Sequence, residues 1–326
     1  MWHIGDIEIN GKVVLAPMAG ITSSGYRDFM KNFGVAVSVS EMVSDMGLIY
    51  DNENTNKYVI YKESHPVGVQ LFGHEPENIV KAAKIALNLN PNIDFFDINM
   101  GCPVPKVVNS GAGSSLLKNP QLCGEIVRRL KEEINIPVTA KIRLGWDEHS
   151  INFLEVISEL EKAGVDMIAI HARTRKQMYL GQPNFEILRG LKSKMSVPLV
   201  ISGNIYTLDD AINAIDITGA DAVMVARGGV GNPWLIKQID HYFKTGIRLE
   251  NVDVLTQINY CLELADYLIE EKGEETAMRI YRSIAPKFFS GFHNAKAYKN
   301  RLSTELVDRN SLIKILDDIT NEIKSQ

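Results

Sequence analysis

The sequence predicts an α/β fold, a (β/α)8 TIM barrel followed by an all-helical segment, and two observations carry that prediction. Short, nearly continuous apolar runs at residues 13–18, 36–40, 67–72, 95–99, 138–142, 167–171, 199–202 and 222–226 have the character of parallel strands buried on both faces. Helical patterns separate most of them, and eight such units match the ~250 residues typical of this barrel. A doubly wound open sheet also alternates strand and helix. It opens with a G-x-G-x-x-G turn after its first strand, whereas the first run here passes into Ala16-Pro17-Met18-Ala19-Gly20.

Taken in order, Ile4, Ile7 and Ile9 precede Asn10-Gly11, a favoured two-residue turn, so residues 2–15 read as a hairpin whose second arm enters the first barrel strand. The link between Val43 and Val67 is the least regular. Pro76 opens a helix to Leu89 with Ile79, Ala82, Ala83, Ala86 and Leu87 on one face. Asn119-Pro120 opens the next, through Leu122, Ile126, Val127 and Leu130. Residues 150–163 form a third, stopped by Gly164. Thr207 caps a fourth, with Asp209 and Asp210 in its first turn. Past residue 246 the strand patterns cease. Stretches 252–271, 274–289, 296–306 and 311–325 read as helices broken at Gly273, Gly291 and Asn310. The expected division is a barrel over 1–245 and a helical domain over 246–326.

Composition narrows the function. The 326 residues are 45% hydrophobic and 23% charged, ordinary globular values. A net charge of −5 gives no global case for nucleic acid, so a polyanion partner needs a local basic patch. Cys102, Cys123 and Cys261 are widely spaced with no C-x-x-C, which speaks for a reducing compartment and against a disulfide framework or a metal site. The N-terminus lacks a signal-peptide pattern and no apolar run reaches membrane-spanning length. The expectation is a soluble cytoplasmic protein with no membrane association and no stable protein partner.

The chemistry gathers where a barrel presents it, at the C-terminal ends of strands. In Asp97-Ile98-Asn99-Met100-Gly101-Cys102-Pro103 a cysteine stands just past a buried strand, between Gly and Pro. Position alone leaves a thiol acid or nucleophile and a loop cysteine with no role equally open. The other strand ends supply Pro17-Met18, Gln70, Asn99, Lys141, Arg143, His171, Arg173, Ser202-Gly203-Asn204 and Ala226-Arg227-Gly228-Gly229. Loops after the seventh and eighth strands form this fold's common phosphate site, where glycines admit backbone N–H groups and Arg227 can bind in a bidentate manner. Lys141 lies among apolar strand residues and needs a partner. A flavin's electron-rich edge suits it, with Gln70 reading the pyrimidine edge. His171 alone reads equally as a satisfied core histidine. The segment 171–177 reads as a solvated loop or a phosphate-facing rim. Residues 276–304 hold Arg279, Arg282, Lys287, Lys296, Lys299 and Arg301 with no Asp or Glu, which fits either a solvated face or a nucleic-acid surface.

Over nearly its whole length the chain resembles the tRNA-dihydrouridine synthase family, closest to its bacterial B-type branch. The motifs that carry the resemblance are residues 15–22 (Leu-Ala-Pro-Met-Ala-Gly-Ile-Thr), Val69-Gln70-Leu71, Asn99-Met100-Gly101-Cys102-Pro103 with Lys106-Val107, Lys141-Ile142-Arg143, His171-Ala172-Arg173-Thr174-Arg175 and Gly231-Asn232-Pro233-Trp234. The resemblance implies an FMN-dependent barrel with a helical domain that helps hold tRNA. It implies NADPH as reductant, hydride delivery to C6 of a uracil base, and Cys102 as the acid that protonates C5. It places Ala16, Pro17, Met18, Gln70, Lys141, His171, Gly203, Asn204, Ala226 and Arg227 at FMN. Asn99 and Arg143 fall on the substrate side, Arg173 and Arg175 on a positive rim, and Arg282, Lys287, Lys296 and Lys299 at tRNA. The chain departs from the family pattern at Ser202-Gly203-Asn204, where Asn-Gly-Asp is usual, and at Arg282-Ser283-Ile284, where Arg-Lys-His is usual. Two other readings remain at this stage: a flavin barrel acting on a free pyrimidine, of the dihydroorotate dehydrogenase type, and a non-catalytic RNA-binding protein.

Overall fold

In a computed structural model that describes residues 1–61, 65–290 and 294–325, eight parallel strands close into a barrel. They are β1 (Val13–Leu15), β2 (Val37–Val39), β3 (Val67–Phe72), β4 (Phe95–Met100), β5 (Val138–Arg143), β6 (Met167–His171), β7 (Leu199–Ser202) and β8 (Ala222–Val225). Each pairs with the next, and β8 returns to β1 through Val223↔Val13 and Val225↔Leu15. A two-residue strand, Val43–Ser44, adds to the upper end of β3.

Successive strand residues face opposite ways, and that period divides the chain's chemistry. Outward residues such as Leu71, Phe96, Ile98, Ile142 and Ile170 join the main core between sheet and helices. Inward residues near the strand starts, including Val14, Val37, Phe95, Met167, Val200 and Met224, fill a second, interior core. The period that turns Phe95 inward also turns Asp97 and Asn99 inward, and likewise Thr139 and Lys141 on β5. The barrel interior is therefore apolar below and polar above.

The N-terminal hairpin differs from expectation. Trp2–Ile4 pairs with Ile7–Ile9 around Gly5-Asp6, and Asn10-Gly11 is only the link into β1. The reason is packing. Trp2, Ile4 and Ile9 belong to the interior core, so this hairpin floors the barrel. Gly5 turns there at φ +56°, where a Cβ would come 2.6 Å from the Pro137 ring.

Helices at Pro76–Leu89 and Pro120–Glu133 begin where proline predicts. Thr207 and Asp210 form a reciprocal capping box on Leu208–Thr218. The third predicted helix is shorter, Phe153–Lys162, because Gly145 bridges Ile151 and holds the preceding residues extended. The irregular link after β2 holds two short helices, Asp45–Ile49 and Glu53–Asn56.

After residue 253 the chain is helical at Val254–Lys272, Glu274–Tyr281, Ala295–Thr304 and Arg309–Lys324. Two boundaries are corrected. The stretch 274–289 is not one helix; it breaks after Tyr281 and resumes as a 3-10 turn, Ala285–Phe289, in which Pro286 lacks a donor. Asn310 is not a break, because Asp308 and Ser311 cap the last helix and place Asn310 in its first turn. The expected break at Gly291 lies outside the described residues. This region seats on the barrel through Glu271, whose carboxylate accepts from Ser23 Oγ (2.7 Å) and Gly25 N (2.9 Å) at the start of the helix Ser24–Lys31. Tyr260 meets Phe33 edge-on, with centroids 4.9 Å apart. Among the described residues no helix is long and apolar enough to cross a membrane.

Gly68 leaves the space that the Phe95 ring occupies inside the barrel; a Cβ there would lie 2.2 Å from the ring. Gly68→Ala should therefore lower stability by about 1–3 kcal/mol. Phe95→Leu in the same chain should recover part of the loss, as read from urea midpoints.

A candidate active site at the mouth of the barrel

The C-terminal ends of the strands enclose a cavity of about 410 Å3. It brings together twelve of the residues singled out above: Ala16, Pro17 and Met18 from β1, Asn99 and Cys102 from β4, Lys141 and Arg143 from β5, His171 from β6, Gly203 and Asn204 after β7, and Ala226 and Arg227 after β8. Strand register is what unites them. Asn99 stands opposite Lys141, and Arg143 opposite His171.

Cys102 is 8% exposed, and its loop is shaped by Asn99, whose Oδ1 accepts from Gly101 N (3.1 Å) and Cys102 N (2.8 Å). Burial pushes the thiol's pKa up, against the opposing pull of the Val104 amide, Arg143 and Lys141. The thiol thus holds its proton at neutral pH, as an acid must and a resting nucleophile must not. The Lys141 ammonium makes no hydrogen bond or ion pair among the described residues. Desolvation, then Arg143, brings its pKa down to about 8, while Asp97 and Cys102 pull the other way. His171 is pushed well below its ordinary value by burial and by Lys141, Arg143, Arg173 and Arg227, so the ring is neutral. Arg173 Nη1 donates to His171 Nε2 at 3.1 Å. A guanidinium has no acceptor, so Nε2 carries the lone pair and Nδ1 the proton.

Arg143, expected on the substrate side, and Arg173, expected on a positive rim, are both buried. Arg143, 2% exposed, donates to the carbonyls of Gly101, Thr174 and Met178, each at 2.8 Å. It ties the Cys102 loop to the loop after β6. Arg173, 0% exposed, is corrected from rim to scaffold: Nε and Nη2 donate to the carbonyls of Leu180 (3.1 Å) and Gly181 (2.6 Å), and Nη2 also to Asn204 Oδ1 (3.0 Å). The physical reason is that the loop after β6 folds back over the mouth, and its carbonyls need donors inside. That loop carries Tyr179, which the sequence reading missed. Arg227 sits 5.0 Å from the Tyr179 ring and 5.8 Å from that of Tyr206. Exposed aromatics a few residues past two strand ends were the signal available.

Gln70 is also corrected. It stands behind the cavity wall and not on it, fully buried, with Nε2 on Asp97 (2.6 Å) and Oε1 accepting from Asn99 (2.8 Å). Arg175 is outside the cavity, stacked on Trp146 at 4.7 Å with Lys118 at 3.4 Å from the same ring. In the helical region Lys287 and Lys296 are exposed and Lys299 half-buried. Arg282 is half-buried with Nε on the Leu306 carbonyl (2.6 Å), and Arg301 pairs with Glu305 and Asp318. Among the described residues no cluster of His, Cys, Asp and Glu could hold a metal ion.

Residues 14–324 match the family described as "Dihydrouridine synthase (Dus)". The "Probable tRNA-dihydrouridine synthase" of Rickettsia conorii is 35% identical over 305 residues, 93% of this chain and 92% of that one. The "tRNA-dihydrouridine synthase B" of Shewanella oneidensis is 34% identical over 86% of this chain and 87% of its own, and that of Pseudomonas aeruginosa 34% identical over 92% and 91%. Among solved structures, histamine dehydrogenase from Rhizobium sp. 4-9 matches 81% of this chain with TM-score 0.54 and 13% identity. This chain spans 50% of that one, and the likeness is one of fold.

Arg173→Met leaves the Leu180 and Gly181 carbonyls without their donors. A hydrogen bond to a charged group is worth about 1.5–3 kcal/mol, so the loop around Tyr179 should be cut by protease roughly ten-fold faster or more. Arg189→Met, which removes only an exposed pair with Glu186, should leave that rate unchanged.

Proposed function

The chain belongs to the dihydrouridine synthase family, and we propose that it reduces uridine to 5,6-dihydrouridine in tRNA, with FMN in the barrel mouth and NADPH as reductant. The observation that carries this reading is that Cys102, a buried thiol, lies on the wall of the same cavity as Lys141, whose ammonium has no hydrogen-bond or ion-pair partner among the described residues.

The residues present fit a flavin mononucleotide. Ala16, Pro17, Met18 and Ala226 offer apolar wall for a ring system, and Lys141 offers a cation for its electron-rich edge. Gly203 and Asn204, at φ +135° and +48°, turn the backbone at the seventh strand end. Gly228 packs so closely that a Cβ would meet the Ile205 carbonyl at 1.9 Å. With Arg227 these make the phosphate subsite. Bound there and reduced by NADPH, a flavin would supply the hydride for uracil C6.

The chain's own residues do the rest. Cys102 delivers the proton to C5, so that hydride and proton add across the C5=C6 bond and leave a thiolate. Lys141 and Arg143, both of which favour the ionised sulfur, stabilise it until it is reprotonated. Asn99 holds the loop, and the neutral His171 keeps Nδ1–H available as a donor. The target base must leave its stack to reach this depth. Lys287, Lys296 and Lys299 of the helical domain, residues 246–326, hold the surrounding tRNA, and Arg175 on Trp146 offers a further cation at the barrel rim. Such binding should weaken steeply with salt.

The purified protein should be yellow, bleach with NADPH and recover its colour anaerobically on adding unmodified tRNA. A bleached protein that tRNA leaves bleached would sink the substrate assignment. Cys102→Ala should keep the flavin and its bleaching while losing roughly 10²–10⁴-fold of the tRNA-driven step. Because the Lys141 ammonium of the free protein is present below about pH 8 and lost above it, FMN affinity should fall as pH rises through that value. Lys141→Met should bind FMN weakly at all pH, with that dependence gone.

A further inference from the structure

Four buried side chains inside the barrel form one line of hydrogen bonds, and its direction is set at one end. The Asp97 carboxylate accepts from Thr139 Oγ1 (2.6 Å) and from Gln70 Nε2 (2.6 Å). Gln70 Oε1 accepts from Asn99 Nδ2 (2.8 Å). Asn99 Oδ1 accepts from the backbone N–H groups of Gly101 and Cys102. Register puts them side by side, with Gln70 opposite Asp97 and Asp97 opposite Thr139. Lys141, one inward position above Thr139, makes no hydrogen bond among the described residues and stands outside the line.

A carboxamide has a donor end and an acceptor end, and a carboxylate has no donor. Gln70 must therefore turn its NH2 to Asp97 and its oxygen to Asn99. Asn99 must then turn its NH2 to Gln70, which leaves its oxygen for the loop. Reversing Gln70 alone would set its oxygen against the Asp97 carboxylate and its NH2 against the NH2 of Asn99, and reversing Asn99 would set its NH2 against the Gly101 and Cys102 N–H groups, in a site too buried for water to mend.

We infer that Asp97 is a positioning residue for Cys102: its carboxylate fixes the orientation of two successive amides, and through them the loop that carries the thiol. The consequence for turnover rests on the reading of Cys102 as the proton donor; the consequence for the loop does not.

Exchanging the two ends tests this. Asn99→Asp alone puts a carboxylate at both ends of Gln70, which has one NH2 to give. Combined with Asp97→Asn the line runs backwards and closes again. The amide at 97 donates to Gln70 Oε1, Gln70 Nε2 donates to the carboxylate at 99, and that carboxylate's second oxygen still accepts from Gly101 and Cys102. Two readouts follow the loop in the purified protein: alkylation of Cys102 by iodoacetamide at neutral pH, read on its peptide, and reoxidation of the NADPH-reduced protein by tRNA. Cys123 and Cys261, both fully buried, do not compete.

In Asn99→Asp the loosened loop should alkylate roughly ten-fold faster, and tRNA-driven reoxidation should fall by a similar factor. The double variant should return alkylation to within about two-fold of the parent. A single variant that alkylates at the parent's rate, or a double variant that alkylates as fast as the single, would overturn the inference. Should Asn99→Asp not fold, Gln70→Met, which can hold neither neighbour, should show the same faster alkylation, and an unchanged rate there would overturn it equally. If the parent protein itself is not reoxidised by tRNA, the functional reading fails while alkylation still decides the line of amides.

Discussion

Positive charge confined without neutralisation is the constraint on which this barrel mouth depends. Lys141, Arg143, Arg173 and Arg227 converge there, and Asp97, the carboxylate that acts on Lys141, is turned to Gln70 and Thr139. Desolvation and mutual repulsion bring Lys141 down to about 8 and hold His171 neutral. A site in that state gains from any ligand that brings electron density, and more from one that brings a phosphate as well.

The cations divide their work by what they touch. Arg143 and Arg173 are saturated by carbonyls and act as struts between loops. Lys141 and Arg227 keep their charge toward the cavity, Arg227 against two tyrosine rings. Substituting a strut should thus be felt as loop disorder, and substituting a facing cation as lost affinity. The same separation holds on the polar side. Gln70 and Asp97 lie behind the wall, while Asn99 reaches through it to shape the cysteine loop.

The barrel was legible because parallel strands buried on both faces leave near-continuous apolar runs, and helix starts carry their own marks at Pro76, Asn119-Pro120 and Thr207. Asn10-Gly11 misled because turn preference is local, whereas the need to bury Trp2, Ile4 and Ile9 beneath the barrel is not. The helical boundary at Tyr281 was missed because a basic, acid-free run gives no sign of where a 3-10 turn begins.

The sequence by itself determined which residue types stand at the strand ends, because period and strand length place them there wherever the sheet closes. That was enough to gather Cys102, Lys141, His171 and Arg227 around one cavity. Which of those side chains face a ligand was decided only by the tertiary structure. Gln70 and Arg173 look from sequence like contacts and are internal, since their partners, Asp97 and the carbonyls of Leu180 and Gly181, come from an adjacent strand or a loop folded back over the mouth. A hydrogen-bonding group is used up by whichever partner the fold brings nearest, and that proximity is not written in its neighbours along the chain.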